Sequence, residues 1–226
     1  MRVRTALLAF GVAAVGAAAT YLSVGRKPCL TWGSTELDAK RAMPGDELLE
    51  DPDILSTRAI SIDTLPSAVW PWLIQMGSGK GGVYTYDWIE NLFGLKMRSA
   101  NEILPQFQDL QVGDVEPLGK KGPRLRVAIL EKERALVLHS EDGNWVWAFG
   151  LYSTFEGRTL LVSRNRIALR GASVFARLAY VLFMEPGSLI MERKMLLGIK
   201  QRAEGLVARE GVTARVDDAR PNVQVD

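Results

Sequence analysis

The sequence predicts an α+β domain: a curved antiparallel sheet around one long C-terminal helix, preceded by a single N-terminal transmembrane helix. Three observations predict it. Residues 112–169 hold short apolar runs separated by turn residues, the pattern of an antiparallel meander. Residues 188–208 carry one apolar stripe at helical spacing. Thr5 to Val24 carry no charge, and as a helix this run would span roughly 30 Å, the hydrocarbon thickness of a bilayer.

The N-terminal run is read as an anchor over residues 1–27. Arg2 and Arg4 precede it, Arg26 and Lys27 follow it, and Tyr21 sits where an amphipathic ring favours the membrane interface. Length favours an uncleaved span at residues 5–24 and a single-pass protein of the cell membrane. Ala17 and Ala19 keep an alternative open, because small-x-small spacing after a basic start suits signal peptidase. Cleavage near Ala19 would release a secreted protein. A buried core helix is a third reading. Basic residues flank both sides of the run, so loop charge sets no orientation.

Residues 28–56 turn polar and acidic, with turn signals at Pro44-Gly45-Asp46 and Asp51-Pro52-Asp53. They read as a partly ordered linker arm from which Trp32 and Leu48-Leu49 can pack on the domain. The domain itself is expected over 57–208. Thr57 to Ile62 alternates polar and apolar residues, a strand. Leu65 to Met76 follows as a helix, Pro66 suiting its start. Gly77, Gly79, Gly81 and Gly82 punctuate a loop, and a second short helix is expected from Tyr86 to Phe93. Strands then follow at Val112–Leu118, Leu125–Ile129, Ala135–Leu138, Trp145–Ser153 and Thr159–Leu169. Ala172 to Met184 reads as an apolar helix interrupted by Pro186-Gly187. Ser188 is positioned to cap the last helix. Residues 209–226 are expected to be a disordered tail.

Composition excludes several functions. Lys and Arg total 28 against 26 Asp and Glu, so no basic excess points to nucleic acid. One cysteine, Cys29, and one histidine, His139, give no disulfide, no metal-ligand set and no histidine-based triad. No cofactor is expected. Oligomeric state is not legible.

Four segments carry a resemblance. They are Asp63-Thr64-Leu65-Pro66-Ser67-Ala68-Val69-Trp70-Pro71-Trp72-Leu73-Ile74-Gln75-Met76-Gly77, Tyr86-Asp87-Trp88-Ile89-Glu90-Asn91, Leu110-Gln111-Val112-Gly113-Asp114 and Met191-Glu192-Arg193-Lys194-Met195-Leu196. Together they resemble the SRPBCC superfamily (START-like, polyketide cyclase-dehydrase) in a bacterial membrane-anchored branch, over about residues 31–205. The resemblance implies a helix-grip fold with a hydrophobic small molecule, lipid-like or polyketide-like, held between sheet and helix. Fold alone does not fix function. A cyclase or dehydratase, or a ligand-free structural or regulatory domain, would use the same frame.

Candidate ligand contacts follow from strand and helix phase. Trp145, Trp147, Phe149 and Leu151 share one strand face, and either line a cavity or fill a core. Ser163 and Asn165 share the inward face of the last strand, opposite Val162, Arg164 and Arg166. As buried polar groups they need partners, either protein groups or a ligand. Trp72 and Met76 belong to the first helix of the domain, and Met195 and Ile199 to the stripe of the last. The glycine-rich loop lacks the spacing for phosphate binding. It could act as a hinge, with Tyr84, Tyr86 and Trp88 as lid residues. Ser163, Asn165, Tyr84 and Asp87 are the groups an enzyme would use.

Overall fold

The computed structural model describes residues 12–13, 15–92, 94–118 and 122–218, with side chains described to residue 209. Six strands form one antiparallel sheet: β1 (Ile54–Ile62), β2 (Val115–Pro117), β3 (Arg124–Glu131), β4 (Ala135–Ser140), β5 (Trp145–Ser153) and β6 (Thr159–Ile167). Their order is β1-β6-β5-β4-β3-β2. The last five strands run as a meander, and β1 closes the far edge by pairing with β6. A register shift between Val127 and Ile129 bends β3, and the sheet is curved. The β4–β5 turn is set by Asp142, whose carboxylate accepts from the Ser140 hydroxyl and the Asn144 N–H.

The helices are α1 (Arg26–Leu30), α2 (Glu36–Lys40), α3 (Pro66–Ile74), α4 (Asp87–Leu92), α5 (Val174–Ala179) and α6 (Glu185–Asp218). Met195, Leu196, Ile199 and Ala203 of α6 are buried against Ile62, Leu136, Phe149 and Leu161 of the sheet and against Val69, Trp72 and Leu73 of α3. Each such side chain contributes about 1.5–3 kcal/mol on burial. The approach is close: at Gly198 a β-carbon would meet the Tyr84 carbonyl oxygen at 2.7 Å. The α+β order and the long helix across an antiparallel sheet agree with the expected helix-grip layout.

Several expectations need correction. The linker arm is a packed layer on the outer face of the sheet. Met43 and Leu49 join Ala59, Val137, Val146, Ala148 and Val162 in a second core. A Thr35–Asp38 capping box starts α2. Gly33, at φ +73°, brings Trp32 against β1, where its carbonyl accepts from the Ala59 N–H, and no β-carbon fits there. Arginine prefers water, so the sequence places Arg164 and Arg166 on a solvated outer face of their strand. Instead, Arg164 is buried and donates to the carbonyls of Asp38, Ala39 and Arg41 and to Asp46. Arg166 donates to the carbonyls of Leu49 and Glu50. The two guanidinium groups satisfy the arm's otherwise unpaired backbone.

At the C-terminal end, Pro186 does not break the helix. It lies within a continuous helix over Val174–Arg209, directly after a π-helical turn at Tyr180–Met184 that joins α5 to α6. Ser188 lies inside α6, its hydroxyl donating to the Glu185 carbonyl rather than capping. The helix continues through the expected tail to Asp218, and residues 219–226 lie outside those described. Of the predicted N-terminal span, residues 5–11 and Ala14 also lie outside them, as does Phe93. The described remainder is helical, with a π-helical turn at Tyr21–Gly25 leading into α1. Among the described residues the helix long and apolar enough to cross a membrane is Val174–Arg209.

Candidate ligand cavity

The alternation of β5 places Trp145 and Trp147 on the inner face, and that of β6 places Ser163 and Asn165 beside them, paired Trp147 with Asn165 and Phe149 with Ser163. Between this face and the first half of α6 lies a cavity of about 480 Å³, within the roughly 300–1,000 Å³ usual for small-molecule sites. Its lining is mostly apolar. Trp145 and Trp147 stack, ring centroids 5.6 Å apart at 18°, and form one wall. Met191 and Met195 of α6 form the opposite wall, and Val83 and Met97 close an end.

One polar patch interrupts this lining. The Trp145 indole N–H donates to Asn165 Oδ1 at 2.9 Å and that of Trp147 to Ser163 Oγ at 3.0 Å. Ser163 and Asn165 in turn donate to the Glu192 carboxylate. Arg58, fully buried on β1, pairs with Glu192 and also donates to Ser188 Oγ and the Cys29 carbonyl. Both oxygens of Glu192 therefore face donors. Burial still pushes its carboxyl above the usual range, against the pull of Arg58, Ser163 and Asn165.

Glu90 reaches the far end of the cavity from α4. It is buried, its Oε2 has no hydrogen-bond partner among the described residues, and burial raises its pKa, Asp87 adding to the shift and Thr85 opposing it. Asp142, on the rim, is held below the ordinary carboxylate range by hydrogen bonds from Ser140 and Asn144.

The predicted ligand contacts fall in different places. Trp145, Trp147, Asn165 and Met195 line the cavity. Ser163 sits one layer behind them, fully buried. Trp72, Phe149 and Ile199 are packed in the core, because the same stripes continue past the cavity to where α3 and α6 meet the sheet. Met76 borders a small neighbouring gap rather than the cavity. Tyr84 is no lid: it is buried, donates to the Trp72 carbonyl and meets the Trp72 ring edge-on. Trp88 points to solvent, 70% exposed. The glycine loop is tied shut by paired Gly77 and Gly82 backbone bonds and by the Lys80–Glu116 ion pair, so it gives no hinge. Asp87 is occupied by the Ser99 N–H and hydroxyl. His139, whose strand phase opposite Leu136 and Leu138 predicts exposure, is half-buried.

Glu192 and Glu90 line the cavity and Arg58 stands behind the lining on Glu192, and none of the three is among the predicted ligand contacts. Arg58 breaks the polar-out rule of its strand, and that break was the available signal. Among the described residues no cluster of His, Cys, Asp and Glu could hold a metal ion.

No protein-family model matches the chain, and no curated protein matches it. Solved structures similar to it include the polyketide-cyclase-like protein Cgl2372 of Corynebacterium glutamicum, at 18% identity, covering 76% of this chain and 97% of that one with a TM-score of 0.32. MLL2253 of Mesorhizobium loti is 16% identical over 65% of this chain and 95% of that one, TM-score 0.37. TTHA0849 of Thermus thermophilus is 14% identical over 68% and 99%, TM-score 0.37.

Proposed function

We propose that the chain is a membrane-tethered domain that binds or transfers a hydrophobic small molecule, lipid-like or polyketide-like, in the cavity between the sheet and α6. The cavity carries this reading: about 480 Å³ of mostly apolar space against two stacked indoles, where a filled core would leave none. The tether is the uncharged run at residues 5–24. Its described part exposes Val12, Val15, Leu22 and Val24, side chains that a bilayer would cover. Tethering holds the cavity near a lipid reservoir and raises the effective ligand concentration.

A second reading, a cyclase or dehydratase, draws on one observation. Glu192 stands on the cavity wall with a raised pKa, and a neutral carboxyl there would be a proton donor. Its saturation by Arg58, Ser163 and Asn165 favours a binding role.

Energy transfer tests the binding reading. Full-length protein in nanodiscs is titrated with cis-parinaric acid, which accepts energy from Trp145 and Trp147. The reading predicts saturable quenching that is lost in Ser56→Phe, a substitution on the inner face of β1, opposite Asn165, that projects into the cavity. Quenching that grows linearly with probe and is equal in the two proteins would overturn it.

A further inference from the structure

The stretch from α5 into the start of α6 does two things at once. Tyr180, Met184, Glu185 and Ser188 line the cavity. Val174, Phe175, Leu178, Phe183 and Ile190 stand in the open, Phe175 at 84% and Phe183 at 74% exposure. Leu178 to Met184 contains no charge, and the π-helical turn falls within it. Such turns are rare and recur at functional sites. Exposed apolar surface of this kind marks a contact with a protein or a membrane.

We propose that Val174–Ile190 is an interfacial membrane segment, lying on the bilayer surface and forming the wall between bilayer and cavity. Two observations select a bilayer as the occupant. The first is continuity with the N-terminal apolar run. Tyr21 donates to Glu185 at 2.9 Å, the Arg26 guanidinium pairs with Glu185 at 2.8 Å, and the Cys29 thiol donates to the Glu185 carbonyl at 3.4 Å. The domain-proximal end of residues 5–24 is thus fixed to the middle of the segment, so a bilayer taking up one meets the other. The second is side-chain chemistry. Apart from Arg177, whose guanidinium is held by Asp53, the exposed groups are aliphatic, phenyl and thioether, without the Trp anchors enriched in protein interfaces. Arg170, Arg193 and Lys194 flank them in exposed positions, the cationic border of an interfacial helix on anionic headgroups. The segment's role as a wall rests on the cavity being a ligand site, and its position on the membrane rests on the N-terminal run being the tether.

Depth measurement tests the position. In a Cys29→Ala background, Phe183→Cys and Leu178→Cys are each labelled with a nitrobenzoxadiazole group. The full chain is reconstituted in vesicles of phosphatidylcholine and phosphatidylglycerol, some doped with nitroxide-labelled lipid. Phe155→Cys, in the β5–β6 turn, is the aqueous reference. The proposal predicts blue-shifted emission at 183 and 178, quenched by the nitroxide lipid roughly twofold or more beyond the 155 label, as for groups seated in the headgroup–acyl boundary. Labels as aqueous as that at 155 overturn it. Blue-shifted labels that the nitroxide lipid leaves unquenched also overturn it, because a protein surface, a second copy included, then covers the segment. Either failure leaves the cavity reading to its own energy-transfer test.

Discussion

Arg58 and Glu192 are opposite charges held side by side in an apolar wall, and each is costly without the other. Removing one partner leaves a buried charge alone. Arg58→Met or Glu192→Met is expected to lose about 3–5 kcal/mol of stability, and the double variant much less than the sum. Denaturant unfolding of the four proteins measures the coupling; additive losses would show that the pair does not act as a unit. Glu90 presents the reverse case, a buried carboxylate without an ion-pair partner among the described residues. Its folded pKa is raised by burial, so between the unfolded value near 4.3 and the raised folded value the folded state holds more protons. Stability contributed at this site falls as pH rises through that window and stays lost above it. Glu90→Gln is therefore expected to stabilise the protein by about 1 kcal/mol at pH 7 and to leave it near wild type at low pH, where both side chains are neutral. Melting curves at the two pH values check it, and a gain independent of pH contradicts it.

Among the elements, the arm over residues 28–53 differs most from expectation. Its Asp, Glu, Pro and Gly content reads as a partly ordered linker touching the domain at Trp32 and Leu48-Leu49, yet its carbonyls are held by two arginines projecting from β6. Arg164→Ala is expected to release the arm, raising hydrogen exchange across α2 and the Met43–Leu49 turn while β5 and β6 stay protected. Unchanged exchange in the arm would mean that Met43 and Leu49 hold it alone. The strands were legible because alternation and turn chemistry agree: β5 begins and ends where its pattern does. The arm was not, because its partners lie more than a hundred residues away and no local pattern encodes such contacts. The π-helical turn was equally hidden. Pro186 signals a helix boundary locally, and only the preceding turn lets α5 and α6 run on as one helix.

At the scale of the whole molecule, one side of the sheet carries the arm and the other carries α3 and α6. The cavity exists because α6 packs tightly at Met195, Leu196, Ile199 and Ala203 but stands off the sheet nearer its start, at Met191 and Ser188. The helix–sheet layout was readable from the apolar stripe of α6. Which half of that stripe fills the core and which faces open space depends on the curvature of the sheet. Trp72, Phe149 and Ile199 therefore fell in the core while Trp145 and Trp147 met the cavity. The central claim is that this space holds a hydrophobic molecule. Native mass spectrometry of the full chain, purified gently without delipidation, tests it most directly. The account predicts a single apolar adduct at near one-to-one stoichiometry on the wild-type protein and its absence from Ser56→Phe. Bare protein in both preparations, or the same adduct on both, would contradict it.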